Sequence, residues 1–388
     1  MTVRRGIVTW ALALVALGCG GDVKTYRAKA PTTSASSQAK APDPQAWRSE
    51  RPKPGPAGSV RFPVPEVTKL ASGLSLYVVP TAAEVVTIRL VVRHGASSLP
   101  EGKSGLAALT ARMMTEGTKK RSSLELAEKV ESLGSSLESD ASRDESMLGI
   151  SALFGDLDRA LELLAEVVTL PAFDAKELER VRAEWLDGLV AERQTPDRLA
   201  SLAGLRLLNG PVHGAPVSGG VSDVKRLTTA DLAQFHARYW QPASSALVLV
   251  GKVDLASARS SVEKHFKAFK SRAVAQDKPV PIPPRPERLR VVLVDRPGAV
   301  QSAIFGAHRF PARGEPGYEA RELLGEIVGG LFTSRINQNL REKNAYTYGA
   351  RGRPVATRQW GAFVVSTSVR TDVTAPALEQ LLVELKKA

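Results

Sequence analysis

Two periodicities alternate along the chain. Residues 74–79 and 85–92 run apolar or alternate with polar positions and are rich in β-branched side chains, so both predict strands. Leu106, Leu109 and Met113 then recur at helical spacing between Gly105 and Gly117, which predicts an amphipathic helix with one apolar stripe. A second helix over 124–133 stops at Gly134, a residue that tolerates the left-handed backbone of a helix terminus. A strand over 147–154 and a helix over 157–168 follow, and after Pro171 a long periodic run predicts a helix over 175–192. Ser222-Asp223 open a further helix, and Thr228 with Asp231 caps the one that carries Leu232, Phe235 and Tyr239. A strand over 246–250, ending at Gly251, and a helix over 255–269 close this pattern.

The same order then begins again. Strands over 289–294 and 302–307 lead to a helix over 318–328 that ends at Gly329-Gly330, a second helix over 334–342, a strand over 360–369 and helical sequence at 381–387. The glycine pair corresponds to Glu116-Gly117, and the second helix to 124–133. A duplication on this scale predicts an α+β fold of two similar modules, each an antiparallel sheet packed with helices. The first spans 66–270; the second, 289–388, repeats only its first half and reads as truncated. Between them, residues 271–288 hold Pro279, Pro281, Pro283, Pro284 and Pro286 in a polar setting, which predicts a semi-rigid linker.

Composition adds a destination. With 388 residues, 43% hydrophobic and 24% charged, the chain has the make-up of a globular protein large enough for two cores. Its net charge of +13 raises the question of nucleic acid, but acids and bases interleave along the helices, as in Lys176-Glu177-Leu178-Glu179-Arg180, and aromatics make up only 5%. That pattern offers neither a basic stripe nor stacking platforms, so no nucleic-acid partner is expected. Residues 1–19 read as a targeting segment: Arg4-Arg5, an apolar run over 7–17 too short to span a bilayer, then Gly18-Cys19. The ending Val15-Ala16-Leu17-Gly18-Cys19 resembles a bacterial lipoprotein cleavage box, with Ala16 and Leu17 in reversed positions. The resemblance implies a lipid on Cys19, attachment to the outer membrane and a body facing the periplasm; an ordinary signal peptide with an incidental cysteine is the plainer alternative. Residues 20–65, rich in Pro, Ala and Ser, predict a disordered tether with a reach of about 35–40 Å.

From about residue 67 onward, small signals stand in a familiar order: Leu70, Gly73-Leu74, Gly95, Gly105-Leu-Ala107, Gly117-Thr118, His213-Gly214, Leu227-Thr228, Asp231-Leu232, Tyr239, Pro242 and Val250-Gly251. Together with the duplication they resemble the pitrilysin and insulinase family of zinc peptidases. In that family the first helix carries H-x-x-E-H, because residues four apart share a face and two imidazoles there bind one Zn²⁺, with the acid beside the metal-bound water. Here the three positions are Ala108, Ala111 and Arg112. Alanine offers no ligand and a permanently charged guanidinium repels the ion. The family's further acidic ligand falls near 186–188, where Asp187 alone holds no metal. The five histidines, His94, His213, His236, His265 and His308, contain no pair at helical ligand spacing. No metal bound by this chain is therefore expected.

The second module keeps what the first lacks. Residues 329–348 follow the family's second-half signature, with Arg341 and Tyr348 seven residues apart. The resemblance implies that these two reach across a closed chamber to substrate held at another subunit's zinc, where both can donate hydrogen bonds to a developing oxyanion. Asn344-Ala345 stand where the family tends to have a basic residue and glycine, and Tyr346 where it has Leu. Without the resemblance, Leu106, Leu109 and Met113 are a core stripe, Arg341 a helix C-terminal cation and Tyr348 a half-buried strand residue. The expectation is a non-catalytic, substrate-positioning subunit that pairs with a zinc-bearing homologue and handles peptides in the cell envelope. The alternatives are a stand-alone peptide-binding or scaffold lipoprotein, and an enzyme with a divergent metal site.

Overall fold

A computed structural model of the chain describes residues 62–272, 280–284 and 286–387, with isolated positions between 48 and 59. The signal segment 1–19 with Cys19, and nearly all of the tether, lie outside the described residues.

The first module is built on six strands: β1 (Glu66–Lys69), β2 (Ser75–Pro80), β3 (Val85–Val92), β4 (Leu137–Ala141), β5 (Ser146–Leu153) and β6 (Ser245–Gly251). Their order in the sheet is β1-β2-β6-β3-β5-β4. Alternation makes β3 a half-buried strand, with Val86, Ile88, Leu90 and Val92 turned inward. One pair departs from the antiparallel expectation, since β2 and β6 run parallel. The helices between β5 and β6 supply the long crossover that a parallel neighbour requires.

Eight helices accompany this sheet and cover its inner face. They are α1 (Leu106–Met114), α2 (Ser123–Glu131), α3 (Leu157–Thr169), α4 (Ala175–Gln194), α5 (Pro196–His213), α6 (Val221–Arg226), α7 (Thr229–Tyr239) and α8 (Leu255–His265). Ser122 with Glu125, and Thr228 with Asp231, form reciprocal caps at the starts of α2 and α7, the second as the sequence predicts. The core joins Ile88, Leu90, Leu148 and Ile150 of the sheet to Leu109, Met113, Leu161 and Leu164 of the helices. Each such side chain contributes about 1.5–3 kcal/mol by leaving water, so the stripe on α1 is a core stripe.

The second module contains β7 (Gln301–Phe310), β8 (Thr347–Ala356) and β9 (Gly361–Arg370) in the order β7-β9-β8, all antiparallel. This reproduces β3-β5-β4 of the first sheet. Helix α9 (Tyr318–Gly325) continues in wider turns to Gly330, α10 (Arg335–Asn337) likewise to Lys343, and α11 (Thr374–Lys386) follows β9. The strand expected over 289–294 does not form: Leu289, Val291 and Leu293 are 70%, 69% and 87% exposed. Its counterpart β2 hydrogen-bonds to β6, and among the described residues no strand takes that place beside β7. Without a ladder partner an apolar run stays irregular.

The two modules meet through α5. One face of β7 and β9 packs on the module's own helices through Phe363, Val365, Val369, Ile336 and Leu340. The other packs on α5, where Leu208 joins Trp360 and Ala362. At the crossing, Gly204 sits against Phe305, whose ring would lie 2.4 Å from a Cβ placed there. Beside it Arg309 donates to Asn209 Oδ1 at 2.6 Å, the Leu208 carbonyl at 2.9 Å and the Pro283 carbonyl at 2.8 Å, pinning β7 to the end of α5 and to the linker. His213, buried at the same end, reaches the Val280 carbonyl at 2.9 Å. Overpacking this junction is expected to cost about 1–3 kcal/mol. Chemical denaturation of Gly204→Leu should show a lowered midpoint of that order, whereas wild-type stability would rule out the close crossing.

Candidate functional site

On helix α1 the positions that the family resemblance assigns to H-x-x-E-H hold Ala108, Ala111 and Arg112. Ala111 is fully buried in the core and Ala108 half-buried. Arg112 turns back along its own helix to form an ion pair with Glu116, four residues on. Glu116 is only 6% exposed, and Arg180 of α4 closes on its other oxygen. Arg180 in turn holds Glu177 and Glu184, each at 2.8 Å. A buried carboxylate needs this pairing, because leaving it alone in the core costs several kcal/mol. The result is a charge network that ties the end of α1 to α4.

These residues do not fit a zinc ion. Two methyl groups and a guanidinium provide no lone pair, and both oxygens of Glu116 are taken by arginines. Asp187 lies on the exposed side of α4 and takes no part; Glu184, which spacing alone did not single out, is the acid that joins the network. The histidines are dispersed. His94 stacks on Tyr239 and bonds to Ser98 Oγ at 3.1 Å, His265 meets Asp158 at 2.9 Å, and His308 stacks on Phe363. His236 faces the Val168 carbonyl, and burial pulls its pKa down to about 4, so it is neutral at ordinary pH. Among the described residues no group of three or more His, Cys, Asp and Glu comes together in a way that could hold a metal.

In the second module Arg341 and Tyr348 flank the turn between α10 and β8. The Arg341 guanidinium lies 4.3 Å over the Phe332 ring, with Glu342 at 3.6 Å from its Nε. Tyr348 is 93% exposed, which corrects the half-buried alternative. No hydrogen bond, ion pair or ring contact links the two. On the helix before Arg341, Leu323, Ile327, Leu331 and Phe332 are 67%, 56%, 51% and 66% exposed, and Phe332 is the one that lies under the guanidinium.

Other residues of the same signature hold this turn in place. Buried Asn337 donates to the Phe332 carbonyl at 2.6 Å and accepts from the Ala350 amide at 3.0 Å, fixing α10 against β8. Gly329 lets the preceding helix touch β8, since a Cβ there would lie 2.5 Å from the Gly352 backbone. Asn339 and Arg335 both reach Glu384 of α11. Ala345 adopts φ 52, the left-handed region that alanine enters at a cost of about 1–2 kcal/mol. The departure from glycine at this position thus strains the turn that sets the spacing of Arg341 and Tyr348.

A module built twice, with the ligand positions of the first copy replaced and the exposed arginine and tyrosine of the second retained, defines a duplicated peptidase-like fold. Family profiles agree: the one described as Insulinase (Peptidase family M16) matches residues 77–201, and the one described as Peptidase M16 inactive domain matches 226–388. The chain belongs to the insulinase family, M16. Zinc protease PqqE of Helicobacter pylori is 23% identical over 335 residues, 84% of this chain and 74% of that protein. An uncharacterised zinc protease of Mycobacterium bovis is 28% identical over 304 residues, 76% of this chain and 68% of that one. The crystal structure of a peptidase M16 inactive domain from Pseudomonas fluorescens superposes with a TM-score of 0.75 at 24% identity, covering 84% of this chain and 79% of that one. A protease from Helicobacter pylori superposes at 0.78 and 21% identity, covering 84% and 80%.

Relief of the Ala345 strain gives a direct check on the turn. Ala345→Gly should stabilise the folded chain by about 1 kcal/mol, read as a raised denaturation midpoint. A lowered midpoint would mean that the left-handed conformation is not the native one.

Proposed function

We propose that the chain is a non-catalytic, substrate-positioning subunit of a heteromeric M16 peptidase that acts on peptides in the cell envelope. The observation that carries this reading is the contrast between the modules. In the first, the H-x-x-E-H positions are occupied by Ala108, Ala111 and an Arg112 locked onto Glu116. In the second, Arg341 and Tyr348 stand at an exposed apolar face with no partner that uses up the phenol. A zinc-bearing homologue would supply the metal, which activates water and polarises the scissile carbonyl. This chain's part is to bind and orient. The Arg341 guanidinium and the Tyr348 hydroxyl donate hydrogen bonds to the peptide carbonyl, where donors matter most as negative charge builds on its oxygen. The stacked Phe332 keeps the guanidinium extended over a ring instead of folded into solvent. Leu323, Ile327 and Leu331 give the partner an apolar surface to cover.

The remainder of the reading concerns location. A lipid on Cys19 would fix the protein to the outer membrane with its body in the periplasm, and residues 20–65 would hold that body clear of the surface. A peptidase with an exported partner and unfolded peptide substrates is consistent with that placement.

Co-expression with a homologue that carries an intact H-x-x-E-H provides the test. The pair should cleave unstructured peptides, and Arg341→Ala should lower kcat by about 100-fold while the pair still assembles. Cleavage at the same rate when this chain is omitted would overturn the proposal.

A further inference from the structure

A charged strip lies on strand β8, on the face turned away from the second module's own helices. Alternation along the strand buries Ala350 and Gly352 against those helices and leaves Arg351 and Arg353 exposed on the opposite face. Their register partners on β9 are Ser366 and Val364, so no acid stands across the strand from either guanidinium. Among the described residues neither arginine side chain makes a hydrogen bond, an ion pair or a ring contact. Asp197, at the start of α5, meets this face through Ser368, whose Oγ donates to it at 2.8 Å; it pairs with neither arginine. Cations on an edge strand can serve to deter stray strand pairing. On β8 that task falls to other groups, since Asn337 already takes the Ala350 amide and Pro354 has no N–H to offer. Two like charges about 6–7 Å apart on one face repel each other, and a bound anion removes that cost.

We infer that this strip binds an extended acidic peptide segment with carboxylates at alternate positions, Glu-x-Glu or Asp-x-Asp, one on each arginine. Alternate side chains of an extended peptide share a face and repeat at the spacing of Arg351 and Arg353, so two carboxylates reach two guanidinium groups without bending the backbone. Each can take the two parallel hydrogen bonds that a guanidinium offers. Val355 and Val364, half-buried on the same face, give apolar contact beside them. A nucleic-acid strand would need rings on which to stack its bases, and the strip presents aliphatic side chains instead. The inference rests on the peptide-handling role proposed above and narrows its substrates to acidic segments. It concerns affinity in this chain alone, whereas that role is read as turnover in a complex.

Fluorescence anisotropy of the full chain at low salt tests the inference with three labelled peptides of equal length, alike except for a central Glu-Ala-Glu, Glu-Glu-Ala or Gln-Ala-Gln. The first should bind about 5-fold more tightly than the third. The second should fall between them, because adjacent side chains of a strand point to opposite faces. Joint substitution Arg351→Gln and Arg353→Gln should abolish the preference and leave the thermal midpoint unchanged. Lys129→Gln with Lys176→Gln removes the same charge from exposed helix positions of the first module and should keep it. Equal binding of the three peptides would overturn the inference, as would equal binding of Glu-Ala-Glu and Glu-Glu-Ala. Loss of the preference in the lysine variant would do the same, since it would mark a response to net charge alone. So would a peptide-free chain that sediments as a dimer and is dissociated by the arginine variant, which would assign the strip to a second copy. None of these failures touches cleavage by the complex or the Arg341 effect, and loss of that cleavage would leave the binding result standing.

Discussion

The arrangement of this molecule depends on the crossing of α5 with β7. Gly204 brings the helix backbone against Phe305, and Arg309 spends its guanidinium on acceptors from α5 and the linker. Remove that crossing and the second sheet has one covered face instead of two. Its three strands would then expose Ala362, Trp360 and Val364 to water. Three strands sealed on one side by their own helices and on the other by a helix borrowed from the first module form a stable layer. The same crossing brings the β8–β9 turn to the first module's loop, where Arg358 meets Asp144 and the Arg93 carbonyl.

The two modules show how one scaffold keeps its shape while its chemistry changes. In the first, Arg112 and Arg180 neutralise a buried Glu116 and fasten α1 to α4. In the second, the buried asparagine Asn337 and the Glu384 cluster hold the frame, while Arg341 and Tyr348 are left outside it. The residues that keep the fold and those offered to solvent are thus different members of one short signature.

Much of the first module was legible because period and burial coincide there. Val86, Ile88, Leu90 and Val92 alternate in sequence and in space, and Leu106, Leu109 and Met113 recur at helical spacing and are buried. The missed elements lack that coincidence. Strand β8 reads Thr-Tyr-Gly-Ala-Arg-Gly-Arg-Pro-Val-Ala, with glycines, arginines and a proline in place of alternation. Edge strand β4 is mostly polar, and α5 contains Gly204, Gly210 and Pro211, residues that read as breakers until the close crossing explains the first. The error at 289–294 has the opposite cause: the pattern is that of a strand, but a strand is a relation between two segments and the second is lacking there. At the site, the absence of H-x-x-E-H residues at 108, 111 and 112 was visible in the residues themselves. The Glu116–Arg180 pairing was not, because 64 residues separate its members and only the packing of α4 on α1 brings them together.

The central claim is that Ala108 and an Arg112 paired to Glu116 leave this chain without zinc ligands on α1, so that any zinc in an active assembly belongs to another subunit. Elemental analysis of this chain, purified alone after zinc-supplemented expression and dialysed without chelator, addresses that claim directly. The account predicts far less than one zinc per chain, and the same value for Arg112→Ala, since alanines at 108 and 112 still provide no ligand. One zinc per wild-type chain would contradict it.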